Sequence, residues 1–294
     1  MERGYWYVIL SGILAGTVVS GGRFFGELGM SFYQLSIFWF GLSALILFPF
    51  LLVKKELRLD RKSFIFYIAC GLIGTVIMFG QFLPLFMGVS VAVVVLLLYT
   101  QPLWTAIFGR VLFKERFTKY KIAAIILVLI GIALLANPFQ SAGIGNLSGI
   151  AIALAGGLGL SGWVITGKVS ENRKYNSIKT VFYFNLFTTV FLAATYLLAV
   201  QFPAAGSATG LMFNFPPAVW LLFVLYSIAN VGTFLFLYKG IATITASTAG
   251  IILLLEPVVA TLIAAAFLNQ PLTINILAGG GIILLANYIS IKSK

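Results

Sequence analysis

A single glutamate, Glu256, lies in the middle of a long apolar run near the end of the chain, TASTAGIILLLEPVVATLIAAAFL. If this run crosses a membrane, a charged carboxylate at its centre costs at least about 2.5–3.5 kcal/mol. The carboxyl group must then be protonated, be hydrogen-bonded in a polar cluster, or bind a cation such as a proton or a substrate ammonium group. The structural alternative is that Glu256 pairs with backbone groups released by Pro257.

A second proline interrupts an apolar run in the first half of the chain. With a shift of 155 residues, SVAVVVLLLYTQPLWTAIFGRVLFKERFT (90–118) aligns with TASTAGIILLLEPVVATLIAAAFLNQPLT (245–273). Pro102 then matches Pro257, and Gln101 matches Glu256. A proline removes a backbone donor and releases a carbonyl one turn earlier, and in a membrane such groups need protein partners or a watered cavity. We therefore predict two helix breaks, at Pro102 and Pro257, at matching depths near the bilayer centre.

The composition argues against most enzyme chemistry. The chain has no histidine and one cysteine, Cys70, which excludes imidazole catalysis, the usual zinc sites and an internal disulfide. No Walker loop is present, which argues against direct ATP drive. The stretch GLGLSG (157–162) has nucleotide-loop spacing, but no strand precedes it, so we expect its glycines to allow close helix packing. We predict no catalytic residue, no metal and no cofactor.

The class is an all-α membrane protein, because 61% of the 294 residues are hydrophobic and only 9% are charged. Apolar runs of about 18–24 residues suit a helix that crosses about 30 Å of hydrocarbon. We predict ten of these transmembrane helices, with a first helix that is retained. Their limits are 5–23, 33–53, 64–87, 90–112, 120–137, 148–168, 178–200, 217–238, 245–268 and 273–291.

The basic residues set the predicted orientation. If the N-terminus is cytoplasmic, 18 of the 19 lysines and arginines fall in cytoplasmic segments and only Arg23 falls outside. Such an asymmetry favours a multi-pass protein of the cytoplasmic membrane with both termini in the cytoplasm. The net charge of +12 is then explained by orientation in the bilayer, and we predict no nucleic-acid partner.

The predicted helices divide into two halves of five. We place the first repeat at 1–137, an extracytoplasmic linker at 138–147 and the second repeat at 148–294. A separate shift of 145 residues places Gly12 on Gly157 and Arg23 on Lys168. Because five is an odd number, the second half must insert upside down, and inverted repeats around a midplane site are a recurrent transporter design.

The two halves resemble the EamA domains of the drug/metabolite transporter superfamily. The resemblance is carried by YTQPLWTAIFGRVLFKERFT in the first half and LLLEPVVATLIAAAFLNQPLT in the second, and it covers nearly the whole chain. It implies a ten-helix transporter with a cavity mainly among helices 1, 3, 4, 6, 8 and 9, and most family members export amino acids, related metabolites or drugs. Two departures concern the subfamily: Gln270 stands where the first repeat has Glu115, and an arginine often found early in helix 2 is absent.

Polar and amphipathic residues in mid-span are candidates for the cavity wall. The alternative for each is hydrogen bonding between helices. The resemblance disfavours Trp39 and Asn185, and Trp104 is a weaker candidate. The predicted substrate-binding or coupling residues are Glu256, Gln101, Tyr99, Gln81, Trp163, Tyr226 and Asn230.

The predicted function is secondary transport by alternating access. The substrate is expected to be an amino acid or a cationic metabolite, and Glu256 is the candidate for proton coupling. Export is the expected direction, because most members of the resembled family export their substrates. The alternatives are a drug or organic-cation exporter, a channel, and a membrane-embedded enzyme. The expected partners are a small-molecule substrate, the lipid bilayer and protons, while the oligomeric state stays open.

Overall fold

A computed structural model of the chain describes residues 3–116, 118–136, 147–202, 206–267 and 273–292. Within these ranges the secondary structure is helical, and ten segments are long and apolar enough to cross a membrane. The ten predicted helices are therefore confirmed. The predicted linker at 138–147, apart from residue 147, and Gln270 lie outside the described residues. The helices are α1 (Arg3–Glu27), α2 (Phe32–Val53), α3 (Arg61–Phe86), α4 (Val91–Leu98), α5 (Gln101–Phe113), α6 (Lys119–Ala136), α7 (Leu147–Asn172), α8 (Ser177–Ala199), α9 (Gly206–Thr209), α10 (Pro217–Ile241), α11 (Ala246–Ile252), α12 (Leu255–Phe267) and α13 (Ile274–Lys292).

Two of the ten crossings are broken, as the prolines predict. The fourth crossing consists of α4 and α5, separated at Tyr99 and Thr100, and the ninth consists of α11 and α12, separated at Leu253 and Leu254. The chain stays tightly turned at both points, because Thr100 N–H donates to the Leu97 carbonyl at 3.3 Å and Leu254 N–H to the Ile251 carbonyl at 3.1 Å. These bonds span three residues instead of four, which is the 3₁₀ pattern that often marks a functional hinge.

The first helical segment of each broken crossing, α4 or α11, begins in the same way in both halves. Ser90 caps α4 by accepting a hydrogen bond from Val93 N–H, and Thr245 caps α11 by accepting one from Thr248 N–H. Side-chain oxygens at this position satisfy amide groups that the first helical turn leaves unpaired. Ser90 and Thr245 are equivalent under the shift of 155 residues, so the repeat is visible in local structure as well as in sequence.

The first helix of each half packs against the broken helix of the other half. A Cβ atom on Gly157 of α7 would lie 2.6 Å from the Leu97 carbonyl oxygen, so only glycine fits against the break between α4 and α5. The repeat-related Gly12 of α1 faces the other break, where a Cβ would lie 3.2 Å from that of Leu255. The same exchange in both halves fits two inverted five-helix repeats. The other glycines of GLGLSG are also close to α3, because a Cβ on Gly159 would lie 2.9 Å from Ile77 and one on Gly162 would lie 3.1 Å from Ile73, so the expected packing role is confirmed.

Candidate functional site

A cavity of about 590 Å³ lies between the two halves and is called the central cavity here. It is lined by α1, α2, α3, α4, α7, α10 and Phe184 of α8, together with Tyr99 at the first helix break and Glu256 just after the second. Along α4 the lining runs from Val91, which is exposed, to Tyr99 at the break. The cavity therefore reaches the end of the bundle that carries the α1–α2 and α3–α4 loops, which we call the neutral end.

The two helix breaks bring an acid and a phenol together at the floor of this cavity. The Tyr99 hydroxyl donates a hydrogen bond to Glu256 Oε1 at 3.1 Å. Glu256 is only 8% exposed and lies in the first turn of α12, where the helix dipole favours negative charge. Among the described residues, no lysine or arginine forms an ion pair with Glu256. The carboxyl group is thus buried, accepts a hydrogen bond from Tyr99 and borders a cavity that can hold a ligand.

Most of the other predicted site residues also line the central cavity. Trp163 packs against Phe234 with ring centroids 4.9 Å apart. Asn230 lines the cavity and also bridges helices, because its amide donates to Ser43 Oγ at 3.0 Å and to Asn185 Oδ1 at 3.1 Å. The residues predicted for the site that line the cavity are Gln81, Tyr99, Trp163, Tyr226, Asn230 and Glu256.

Gln101 lies elsewhere, although the repeat pairs it with Glu256. It is buried, and its amide donates to Thr105 Oγ1 at 2.7 Å. Thr105 in turn donates to Ser161 Oγ at 3.0 Å, so this polar group joins α5 to α7. Trp104 is also outside the cavity lining, and its ring nitrogen donates to Thr100 Oγ1 at 3.1 Å.

The second helix contributes residues that sequence reasoning disfavoured or missed. Trp39 lines the central cavity and packs against Tyr226 at 5.1 Å, and Ser36 lines it one turn away. Asn185, which the resemblance also disfavours, is buried against Asn230 and lies outside the lining. The available signal for Ser36 and Trp39 was their spacing of three in an otherwise apolar span, since such residues share one face of a helix.

The opposite end of the bundle is closed by charged contacts between the halves. This basic end carries the N-terminus and the loops at 54–60, 114–118, 173–176 and 242–245. Glu115 from the first half accepts hydrogen bonds from the amides of Ala246 (2.6 Å) and Ser247 (3.1 Å) at the start of α11. Lys121 Nζ donates to Thr245 Oγ1 and Ser247 Oγ at 3.0 and 2.9 Å and lies 4.0 Å from Glu115.

A second lysine holds the turn before α11 from within the second half. Lys168 Nζ on α7 donates to the carbonyls of Ile241 and Ile244, at 2.8 and 3.0 Å. We call Glu115, Lys121 and Lys168, with the turn at 241–247 that they hold, the charged lock. Lys121, one of the basic residues that predict orientation, thus also fastens the two halves together, and Lys168 holds the same turn from within the second half.

Comparison with known proteins places this geometry in a family. The EamA-like transporter family matches the chain over residues 2–137 and 147–291. The chain belongs to this family. An uncharacterized transporter of Clostridium kluyveri is 27% identical over 307 residues, which cover 100% of this chain and 94% of the relative. An uncharacterized transporter of Archaeoglobus fulgidus is 26% identical over 194 residues, covering 66% of this chain and 65% of the relative.

A solved structure supports the same fold. A protein of known crystal structure superimposes with a TM-score of 0.78, covering 100% of this chain and 99% of its own length, at 17% sequence identity. This EamA family protein is therefore a multi-pass membrane protein of a transporter family, with ten apolar helices built as two inverted repeats.

Proposed function

We propose that this protein is a secondary transporter that moves an amino acid or another small metabolite with a cationic group by alternating access. The observation that carries the proposal is the Tyr99–Glu256 pair, which is buried at the floor of a cavity that reaches one end of the bundle only. A carrier needs a midplane site that is accessible from one side while the other side is closed. The charged lock supplies that closure at the basic end.

The cavity supports a small organic substrate with an ammonium group. Its volume of about 590 Å³ is in the usual range for ligand pockets. Glu256 supplies a carboxylate for the ammonium group, and the faces of Trp39, Trp163 and Tyr226 supply the aromatic surfaces that attract cations. The same carboxylate can exchange the substrate for a proton, which would couple transport to a proton gradient.

The proposed orientation follows the basic residues. With the basic end in the cytoplasm, both termini are cytoplasmic and the cavity faces the outside of the cytoplasmic membrane. Export then requires a second state in which the charged lock is open and the neutral end is closed. The shift of 155 residues relates Gln101 to Glu256, so in that state we expect Gln101 to line the cavity.

A second candidate is an exporter of drugs or organic cations. The observation that favours it is the mostly apolar and aromatic wall around a single acid, which also suits hydrophobic cations. An amino acid and a simple organic cation differ in the carboxylate, so flux measured with both kinds of compound separates the two functions.

The test is transport into proteoliposomes with purified protein. A panel of amino acids and cationic metabolites is measured with and without a pH gradient, for wild type and Glu256→Gln. We expect saturable flux that responds to the gradient in wild type and loses this response in the variant. Glu171→Gln is the matched control, because that acid lies at the basic end and accepts a hydrogen bond from Ser177.

The outcomes distinguish a coupling role of Glu256 from a structural one, and a carrier from a channel or an enzyme. Flux that is equal in wild type and Glu256→Gln at every pH would reduce this residue to a structural partner of the helix break. Flux that does not saturate would indicate a channel, and chemical change of the substrate would indicate an enzyme.

A further inference from the structure

An arginine and a lysine occupy equivalent positions on the first helices of the two halves. The shift of 145 residues pairs the end of α1 at Glu27 with the end of α7 at Asn172. The same shift pairs Arg23 with Lys168, so each basic residue stands four positions before the end of its helix. Because the halves are inverted, Arg23 lies at the neutral end of the bundle and Lys168 at the basic end.

At the basic end, Lys168 holds the turn between α10 and α11. Its ammonium group donates to the carbonyl of Ile241, the last residue of α10, and to the carbonyl of Ile244. The last carbonyls of a helix have no partner within the helix, and cations are favoured there. Ala246, in the first turn of α11, is fully buried at this closed end. Lys168 thus bonds to a turn whose following helix is packed shut.

The equivalent turn in the first half borders the open mouth of the central cavity. The shift of 155 residues pairs Ile241 with Phe86, the last residue of α3, and Ile244 with Val89. Val91, which corresponds to Ala246, is 64% exposed and lines the cavity, as does Arg23. The two halves therefore show the same turn in two arrangements, buried at the basic end and exposed at the neutral end.

The guanidinium group of Arg23 has the donors for a bond like that of Lys168. Its Nε donates to Glu27 Oε1 at 2.7 Å, and both side chains are about half exposed. An arginine carries five N–H groups in a fork, four of them beyond Nε. Arg23 can therefore keep Glu27 as a partner and still donate to two backbone carbonyls.

We propose that Arg23 is the latch of the neutral end, which donates to the carbonyls of Phe86 and Val89 when the basic end opens. This inference rests on the proposed alternating access and deepens it, because it names a residue that stabilises the second state. In an inverted-repeat carrier, the two halves exchange roles when the open end changes. The latch also accounts for the single exception to the charge asymmetry, since Arg23 is the one basic residue predicted outside the cytoplasm.

Cysteine labelling measures how often the basic end opens. Ala249 on α11 is fully buried, so Ala249→Cys, made together with Cys70→Ala, should react with N-ethylmaleimide only in the state that the latch holds. We expect Arg23→Gln to lower the labelling rate of the purified protein about ten- to a hundredfold, because bonds from a charged group to carbonyls are lost in that state alone. Arg23→Lys should keep most of the rate, because the other half uses a lysine at this position.

The matched counterpart is Lys168→Gln, which should have the opposite effect. It removes bonds from the closed basic end, so it should raise the labelling rate. Unfolding would raise labelling in any variant, so a decrease with Arg23→Gln cannot come from a general loss of stability. Glu27→Gln removes the exposed ion pair but leaves Arg23 in place, and its rate should equal that of the parent.

Three results would overturn the latch. A labelling rate that Arg23→Gln leaves unchanged would show that this side chain does not stabilise the second state. An equal decrease with Glu27→Gln would assign the effect to the ion pair. Absence of labelling in the parent would show that the basic end stays closed, so that the latch has no state to hold. The transport function fails separately, through the absence of saturable flux in proteoliposomes, because labelling requires no substrate.

Discussion

The charged lock makes a quantitative prediction about Glu115. Its carboxylate accepts hydrogen bonds from two backbone amides at the start of α11 and lies 4.0 Å from Lys121 Nζ. Glu115→Gln keeps one acceptor oxygen but replaces the other with an NH₂ donor that faces an amide donor. It also removes the negative charge from beside a buried lysine. We expect the variant to favour opening of the basic end.

The size of the effect follows from the bonds that are lost. A hydrogen bond to a charged group contributes about 1.5–3 kcal/mol, and the buried Lys121 loses its counter-charge as well. A loss of about 2–3 kcal/mol corresponds to about a 30- to 150-fold shift in the equilibrium between closed and open states. Such a shift turns a rare open state into a measurable one.

The assay uses a cysteine that only the open state exposes. Ala249 on α11 is fully buried, and its repeat partner Val94 lines the central cavity. Ala249→Cys, made together with Cys70→Ala, should therefore react with a maleimide only when the basic end opens. Glu115→Gln should raise the labelling rate by the factor given above.

Glu27→Gln provides the comparison, because it breaks an exposed ion pair with Arg23, a kind of pair that contributes about 0–1 kcal/mol. Its labelling rate should match that of the parent. If Glu115→Gln leaves the rate unchanged while the protein stays folded, the lock does not control opening and the argument from its bonds is wrong.

Two further predictions concern packing. Gly157→Ala forces a methyl group to 2.6 Å from the Leu97 carbonyl oxygen, so it should lower the free energy of unfolding in detergent by about 1–3 kcal/mol. Gly12→Ala places its methyl group 3.2 Å from Leu255 Cβ, which is a milder overlap, so it should cost less. Equal costs for both glycines would contradict the contact distances. Asn185→Leu removes the acceptor of the Asn230 amide and should destabilise the protein by about 1–3 kcal/mol without abolishing saturable flux. A variant as stable as wild type would show that this bond is not needed.

The sequence predicts the crossings and the breaks because their causes are local. Hydrophobic length sets the ten helices, and Pro102 and Pro257 each remove a backbone donor that an unbroken helix needs. The pairing of Tyr99 with Glu256 is not local, since it joins residues 157 positions apart. It depends on where each broken helix comes to lie, and neither composition nor periodicity contains that information.

The charged lock and the cavity wall show the same limit. Lys121 and Lys168 satisfy the charge rule for orientation wherever their side chains point, so the sequence alone does not reveal that both hold the turn before α11. The resemblance disfavours Trp39, because it leaves helix 2 out of the cavity wall. The structure places it on the wall because α2 packs beside α10, where Trp39 meets Tyr226.

The exchange of first helices between the halves has a consequence for how this chain is made. Ser11 and Ser20 of α1 donate to carbonyls of residues 222 and 240 positions later, Thr233 and Ala260. During synthesis, the face of α1 that packs against α10 and α12 therefore has no partner until nearly the whole chain has been inserted. Closing such long loops is slow, and incomplete helical membrane chains expose surfaces that other proteins can bind. Each half thus depends on the other for its helix packing, and neither half alone should be a stable five-helix unit.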